Sequence, residues 1–385
     1  MLINLNMPYS HFRENYQEKQ PFVFKQAVKK NNVTWSDINE IINRCDASSN
    51  DFRVSFADGN VPKERYIQTY YNIGVLHKKI IKSKFYDFLK KGATIVANNI
   101  FDEPKFNDFA KEIAQYTGRQ TITSAYIAFG NKDSYRAHWD SRDVFAVQLM
   151  GRKRWIIYKP SLELPLYMQQ SKDFEQDYPC PEEIFMDVTL EEGDILYIPR
   201  GWWHNPSPLG EPTVHLAIGT FPAFAIDFVT WIFKNLPENY SARVALENYE
   251  FDKEELEKLS EHIRDSIINE EKYKQFMEEF FTNQRLESRL NIETLGNENT
   301  NWIPKNKLIR FNTFRVDFHD EYLITSDGKI SFKNELLKLK DFIINHKILP
   351  IQKILDEFKL MDKSKIEETL YYLAQQNFIE IVDNK

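Results

Sequence analysis

The sequence predicts a mainly β core with α additions: an antiparallel double-sheet jelly roll, followed by a helical stretch and a small winged-helix unit. Three observations carry this expectation. From Thr121 to Phe221, short β-rich runs follow one another between Gly, Pro and Asp turn signals. After Phe221, apolar residues recur at three- and four-residue steps among many charges, the helical period. At 385 residues the chain also exceeds what one hydrophobic core usually serves. The expected domains are therefore 1–225, 226–300 and 301–385.

Composition narrows the class. With 42% hydrophobic and 14% aromatic residues the chain has ample material for packed cores, which argues against disorder. A formal net charge of −7 provides no global attraction to nucleic acid or to an anionic membrane. Cys45 and Cys180 stand far apart, so neither a disulfide framework nor a Cys-based zinc site is expected, and a reducing compartment suits the chain. The N-terminus lacks a basic segment followed by an apolar run, and no stretch approaches the roughly 18 apolar residues of a membrane span. The expected location is the cytoplasm, with no membrane partner.

Before the β-rich region, Pro21 to Phe24 reads as a short strand and Trp35 to Ile42 as a helix capped by Ser36. Ala93 to Ala97 reads as a second strand. It precedes a helix from Pro104 to Ile113, whose apolar residues 106, 109, 110 and 113 share a face. The core strands are expected at Thr121–Phe129, Val144–Leu149, Arg154–Tyr158, Asp194–Ile198 and Val214–Phe221. Met150-Gly151 joins two of them, and Pro199-Arg200-Gly201 breaks the chain just before Trp202-Trp203-His204. Leu256, Leu259, Ile263 and Ile267 then form a helical stripe long enough to seek a partner helix, and the helical pattern runs on past Leu286. A polar linker is expected at Gly296–Asn301. Beyond it come a hairpin-like Phe311–Ile324, a turn at Ser326-Asp327-Gly328, helices at Leu336–Ile344 and Ile366–Ala374, and a strand at Phe378–Ile381.

The chemistry concentrates in two segments. In Arg136-Ala137-His138-Trp139-Asp140 the His and Asp side chains are two residues apart, so an extended backbone presents both on one face. Gly193 to His204 combines an opening turn, a buried strand and a Pro-Gly turn that delivers a second imidazole, where antiparallel strands can fold back beside the first pair. Two His and one carboxylate on one side of a metal leave positions open, the arrangement associated with non-haem Fe(II) oxygenases. A His-x-Asp pair alone is more often a surface pair or a satisfied hydrogen bond; the turn devices around His204 give it weight. His215, on the apolar run Val214 to Ile218, is the rival third ligand. His11, His77, His262, His319 and His346 lack ligand spacing, and Trp155, Trp202 and Trp203 read as core packing or pocket walls.

The stretches HWDSRDVFAVQLMGRKRWIIYKP and GDILYIPRGWWH, with PFVFKQAV near the start and HLAIGTF after the last ligand candidate, resemble the JmjC-type (cupin) ribosomal oxygenases across about residues 15–225. These are Fe(II)- and 2-oxoglutarate-dependent protein histidyl and arginyl hydroxylases that also consume O2. The resemblance implies His138, Asp140 and His204 as the iron triad. It also implies Lys153 as the cation that pairs with the distal carboxylate of 2-oxoglutarate, with Ser124 a polar helper and Tyr126 on the same strand face. A buried carboxylate is costly unless paired, which supports a cation there, while Arg152 and Arg154 should face the other way. The same resemblance implies a homodimer built by the helical region and a C-terminal winged helix.

The expected substrate is a side chain of a protein or peptide, with a ribosomal protein favoured. A small precursor peptide or a metabolite is the alternative within the same chemistry. Two readings stand outside it. One is a metal-dependent cupin isomerase or dioxygenase that uses a third His. The other is a non-catalytic cupin binding protein whose winged helix grips nucleic acid, for which Lys333, Lys338, Lys340, Lys347 and Lys353 would supply a basic patch. Nucleic acid is expected only through that unit or through a ribosomal target.

Overall fold

The computed structural model describes residues 2–29, 31–100, 103–131, 136–283, 288–292, 306–312, 321–326 and 328–383. The chain divides into two compact units, Met1–Phe221 and Pro222–Lys385.

The first unit runs α1 (Tyr9–Asn15), β1 (Phe22–Phe24), α2 (Trp35–Arg44), β2 (Phe52–Phe56), β3 (Gly59–Asn60), β4 (Ile67–Asn72), β5 (Val75–Ile80) and α3 (Lys82–Lys90). It continues with β6 (Thr94–Ile100), α4 (Pro104–Thr117), β7 (Gln120–Ala128), β8 (Asp143–Met150), β9 (Lys153–Tyr158) and α5 (Ser171–Phe174). The last strands are β10 (Ile184–Leu190), β11 (Ile195–Ile198), β12 (Trp203–Pro208) and β13 (Thr213–Phe221). Eight strands form one sheet in the order β1-β11-β8-β13-β7-β6-β2-β3, and three form a second in the order β10-β9-β12. From β8 onward the chain crosses repeatedly between the two, with β9 and β10 consecutive in the small sheet, which is a jelly-roll path. Ala146, Leu196 and Ile198 of the large sheet pack with Trp155, Ile157 and Leu190 of the small one, all buried. β8 is buried along its whole length, as its unbroken apolar run Val144 to Val147 requires.

Met150-Gly151 carries the chain from the large sheet to the small one. Gly151 has φ +60, and a Cβ there would lie 2.3 Å from the carbonyl oxygen of Pro212. Gly151→Ala should therefore destabilise the fold by more than the ~1–3 kcal/mol typical of backbone strain alone, read as a lower urea midpoint at unchanged slope.

Some expected details differ. The cap of α2 is Thr34, not Ser36: its side chain accepts from Asp37 N–H and the Asp37 carboxylate accepts from Thr34 N–H, so Ser36 is already inside the helix. His138 and Asp140 do not sit on a regular strand. Their segment is an irregular loop fastened to β12 by one antiparallel bridge, His138 to His204. The hairpin β4–β5 was not foreseen, because its turn places Ile73 at φ 48 where Asn, Asp or Gly usually stands.

The second unit holds α6 (Ala225–Asn235), α7 (Tyr249–Ile267), α8 (Glu270–Thr282), β14 (Leu308–Phe311), β15 (Tyr322–Thr325) and β16 (Gly328–Ser331). After these come α9 (Glu335–His346), β17 (Ile348–Pro350), α10 (Ile351–Glu357), α11 (Lys363–Gln375) and β18 (Ile379–Val382). Phe311–Ile324 is not one hairpin: β14 pairs with β17 and β18, whereas β15 pairs with β16. The expected Gly296–Asn301 linker, Leu286, His319 and Asp327 lie outside the described residues. The five lysines do not make a continuous basic patch, since Lys340 is buried beside Asp341 and Lys338 pairs with Glu335.

Candidate metal and cosubstrate site

Between the two sheets lies a cavity of about 450 Å³. Strand alternation determines what enters it. Ile122, Ser124 and Tyr126 of β7 and His215, Ala217, Gly219 and Phe221 of β13 point in at every second position, as do Lys153 and Trp155 of β9 and His204, Pro206 and Pro208 of β12. His138, Asp140 and Arg142 reach the same space from the loop before β8.

His138, Asp140 and His204 each offer one ligand atom, and these atoms all lie within 4.8 Å of one another, the one such group among the described residues. Their backbones are tied together. His138 N–H donates to the His204 carbonyl at 3.1 Å, His204 N–H donates back at 2.8 Å, and Gly201 N–H donates to the Asp140 carbonyl at 2.9 Å. Gly201 has φ +85, and a Cβ would meet the Leu162 carbonyl at 2.6 Å, so the turn that delivers His204 needs glycine. The preceding residue is held as well: Arg200 N–H donates to buried Asp143, which also accepts from Arg119 and from the Tyr197 hydroxyl, each at 2.8 Å.

Each imidazole is oriented by its own chain. His138 Nδ1 lies 2.9 Å from the Arg136 carbonyl and His204 Nδ1 lies 3.0 Å from the Trp202 carbonyl. A carbonyl only accepts, so Nδ1 carries the proton in both rings and Nε2 is left as the ligand atom. His204 Nε2 is 3.7 Å from Asp140 Oδ2. Burial, reinforced by His138, pushes the His204 pKa down to about 4, so the ring is neutral at pH 7. Burial works against ionisation of Asp140, but the charges of Arg142, His204 and His138 outweigh it and hold the carboxyl below its usual range. The donor set is thus two imidazole Nε2 atoms and one carboxylate, which suits a divalent first-row metal.

The depressed His204 pKa has a consequence for the metal-free protein. A group that titrates near 6.5 unfolded and about 4 folded contributes stability that is complete above pH 6.5 and is lost as pH falls toward 4. Urea midpoints of the apoprotein should fall across that window, and His204→Gln should flatten the dependence. An unchanged slope in that variant would remove His204 as the cause.

Lys153 is buried, at 4% exposure, and lines the cavity; Arg152 and Arg154 face outward and pair with Glu211 and Asp187. Ser124 and Tyr126 also reach the cavity. His215 enters the same space but lies outside the triad. It stacks on Tyr126 at 4.9 Å and meets Trp155 edge-on at 5.3 Å, and its buried Nδ1 has no hydrogen-bond partner among the described residues. Burial and the nearby Lys153 charge hold it neutral, well below the usual range. Trp155, Trp202 and Trp203 are all buried, and Trp155 also walls the cavity. Arg53 and Arg142 are lining residues that sequence reasoning passed over. The signal for Arg142 was its position two residues after Asp140.

Comparison with known proteins places these features in context. Residues 96–227 match the family model described as the JmjC domain. The chain is 29% identical over 259 residues to ribosomal oxygenase 2 of Rattus norvegicus, covering 62% of this chain and 54% of that protein. It is 35% identical over 106 residues to ribosomal oxygenase 1 of Danio rerio, covering 27% of this chain and 19% of that protein. The chain thus spans about half the length of the first of these relatives and less of the second. Among solved structures, the Escherichia coli ribosomal oxygenase YcfD superposes with a TM-score of 0.60 at 17% identity, over 99% of this chain and 100% of that one. A second YcfD structure, in complex with cobalt and 2-oxoglutarate, gives 0.59 at 15% identity over 98% and 99%. The likeness establishes the JmjC cupin fold.

Proposed function

We propose that this chain, whose residues 96–227 are a JmjC domain of the ribosomal-oxygenase type, is an Fe(II)- and 2-oxoglutarate-dependent oxygenase that hydroxylates a side chain of a protein or peptide. The observation that carries this reading is the convergence of His138, Asp140, His204 and Lys153 on one cavity. The donor set fits the metal: backbone carbonyls fix both Nδ1 atoms, so each ring presents Nε2 as its ligand atom, and a three-ligand group leaves the remaining positions open. When bound, iron with 2-oxoglutarate and O2 supplies oxidation of an unactivated C–H bond, with succinate and carbon dioxide as co-products.

The protein's own residues do the rest. His138 and His204 offer Nε2 and Asp140 a carboxylate oxygen. Lys153 receives the distal carboxylate of 2-oxoglutarate, with Ser124 and Tyr126 beside it, and its burial makes that charge-assisted bond strong. Tyr126, His215 and Trp155 wall that end with rings that exclude water. Purified protein with Fe(II), 2-oxoglutarate and peptide fractions should release succinate and add one oxygen to a single side chain. Stimulation by small metabolites alone would overturn the polypeptide part of the reading.

The second unit supports two further elements. Leu256, Leu259 and Ile263 of α7 are only half-buried and Ile267 is 40% exposed, so this stripe is open to a second copy of the chain. Light scattering at micromolar concentration should give a dimer mass; a monomer would end that element. The sheet of β17, β14 and β18, packed against α9, α10 and α11, supports a winged-helix reading with a role in holding a polypeptide or a ribosomal target. Among the described residues no helix is long and apolar enough to cross a membrane, and the cytoplasm is the proposed site of action.

A further inference from the structure

We propose that the substrate carries a carboxylate on the residue next to the oxidised one and that Arg142 is the specificity-determining residue that receives it; this rests on the oxygenase reading above. Register locates Arg142 in the cavity. On β13, His215 lies at the Lys153 end, its ring 5.3 Å from that of Trp155, which stands two residues from Lys153 on β9, and Gly219 lies against Arg142. Four residues of extended strand separate them, about 13 Å. The triad draws on Arg142's own loop, since Asp140 is two residues before it and senses its charge. The cavity therefore holds two separate cations, Lys153 toward the His215 stretch of β13 and Arg142 against Gly219.

Arg142 is built into this place. A Cβ at Gly219 would come within 2.7 Å of Arg142 Cδ and 2.8 Å of Nε, so the bare glycine is what lets the side chain lie across β13. The guanidinium then rests over the Phe221 ring at 5.7 Å. Arg53 of β2 lines the same cavity, and its buried Nε has no hydrogen-bond partner among the described residues. Among the described lining residues Asp140 is the one carboxylate.

The charge balance then points to the ligand. With Fe(II) and 2-oxoglutarate in place, the metal and Lys153 are offset by Asp140 and the cosubstrate dianion. Among the described lining residues, Arg142 and Arg53 then remain as positive charge with no further carboxylate to offset them. A Lys or Arg side chain entering there is repelled, whereas an Asp or Glu side chain, or a chain-terminal carboxylate, gains a planar two-pronged donor. The oxidised residue is thus a neutral one next to an acidic group.

Three peptide pools test this, identical in their random positions but fixed as Glu, Ala or Lys beside them. Turnover is read as succinate release and as oxygen-adduct mass with the Fe(II) enzyme. Affinity is read by fluorescence anisotropy with the Mn(II)- and 2-oxoglutarate-loaded, non-reacting protein. The Glu pool should exceed the Lys pool at least tenfold in both readouts. Arg142→Lys should keep that order and Arg142→Glu should reverse it, a reversal that a purely structural role for Arg142 does not produce. Equal pools, or a preference for Lys in the unaltered protein, would overturn the carboxylate inference while leaving the peptide-oxygenase reading intact. Binding that follows the Glu order without oxygen transfer supports the inference and counts against the reading. No binding and no turnover in any pool overturns both.

Discussion

Asp140→Ala will lower 2-oxoglutarate turnover by at least about a thousandfold, and His138→Ala and His204→Ala will do the same. Each removes one of the three donors that converge within 4.8 Å, and no other ligand-type group among the described residues joins them. The fold should survive, because the His138–His204 bridge and the Gly201–Asp140 bond are made by backbone and persist without the side chains. Circular dichroism should therefore be unchanged while Mn(II) binding is lost. His215→Ala is the control: its ring packs on Tyr126 and Trp155 and contributes no ligand atom to the group, so that variant should keep its metal. If His215→Ala loses metal and His204→Ala retains it, the ligand assignment falls.

Lys153→Ala will raise the 2-oxoglutarate concentration needed for half-maximal turnover about ten- to a hundredfold, with metal affinity unchanged. The estimate follows from a charged hydrogen bond to a buried carboxylate, worth roughly 1.5–3 kcal/mol. Lys153 is 4% exposed, so water cannot replace it easily. Lys153→Arg should recover part of the loss, since the longer fork keeps the charge but must fit beside His215. Unchanged cosubstrate dependence in Lys153→Ala would remove Lys153 from this role.

Those two experiments concern residues that were legible in the sequence. Alternating apolar runs marked most of the core strands, and the turn at Gly201 marked where the second imidazole would arrive. The obscure parts have physical reasons. Two segments expected to form a strand pair, His138–Asp140 and Trp203–His204, meet through a single bridge, and the single-bridge geometry is a tertiary fact with no local signal. β12 contains Pro206 and Pro208, which demote any run as a strand, yet it survives because it lies at the edge of its sheet beside β9. Helix α10 and strand β17 share the short segment Ile348 to Leu355, where apolar pairs broken by Pro350 and by Gln352-Lys353 leave periodicity too little length to separate strand from helix. Arg142 was overlooked because a charged residue next to a ligand pair looks like solvated surface until Gly219 is seen to make room for it.

The reciprocal backbone bonds between His138 and His204 carry a consequence for how the protein lives with scarce metal. Because the donors are tied by main chain rather than gathered by the ion, losing the ion costs little reorganisation and the vacated frame can be recharged without refolding. The same rigidity offers no defence by shape against competitors. Two imidazoles and a carboxylate bind Zn(II), Ni(II) or Cu(II) more tightly than Fe(II). Occupancy is then decided by which ion the surroundings make available, and a wrong ion fills the frame without unfolding it.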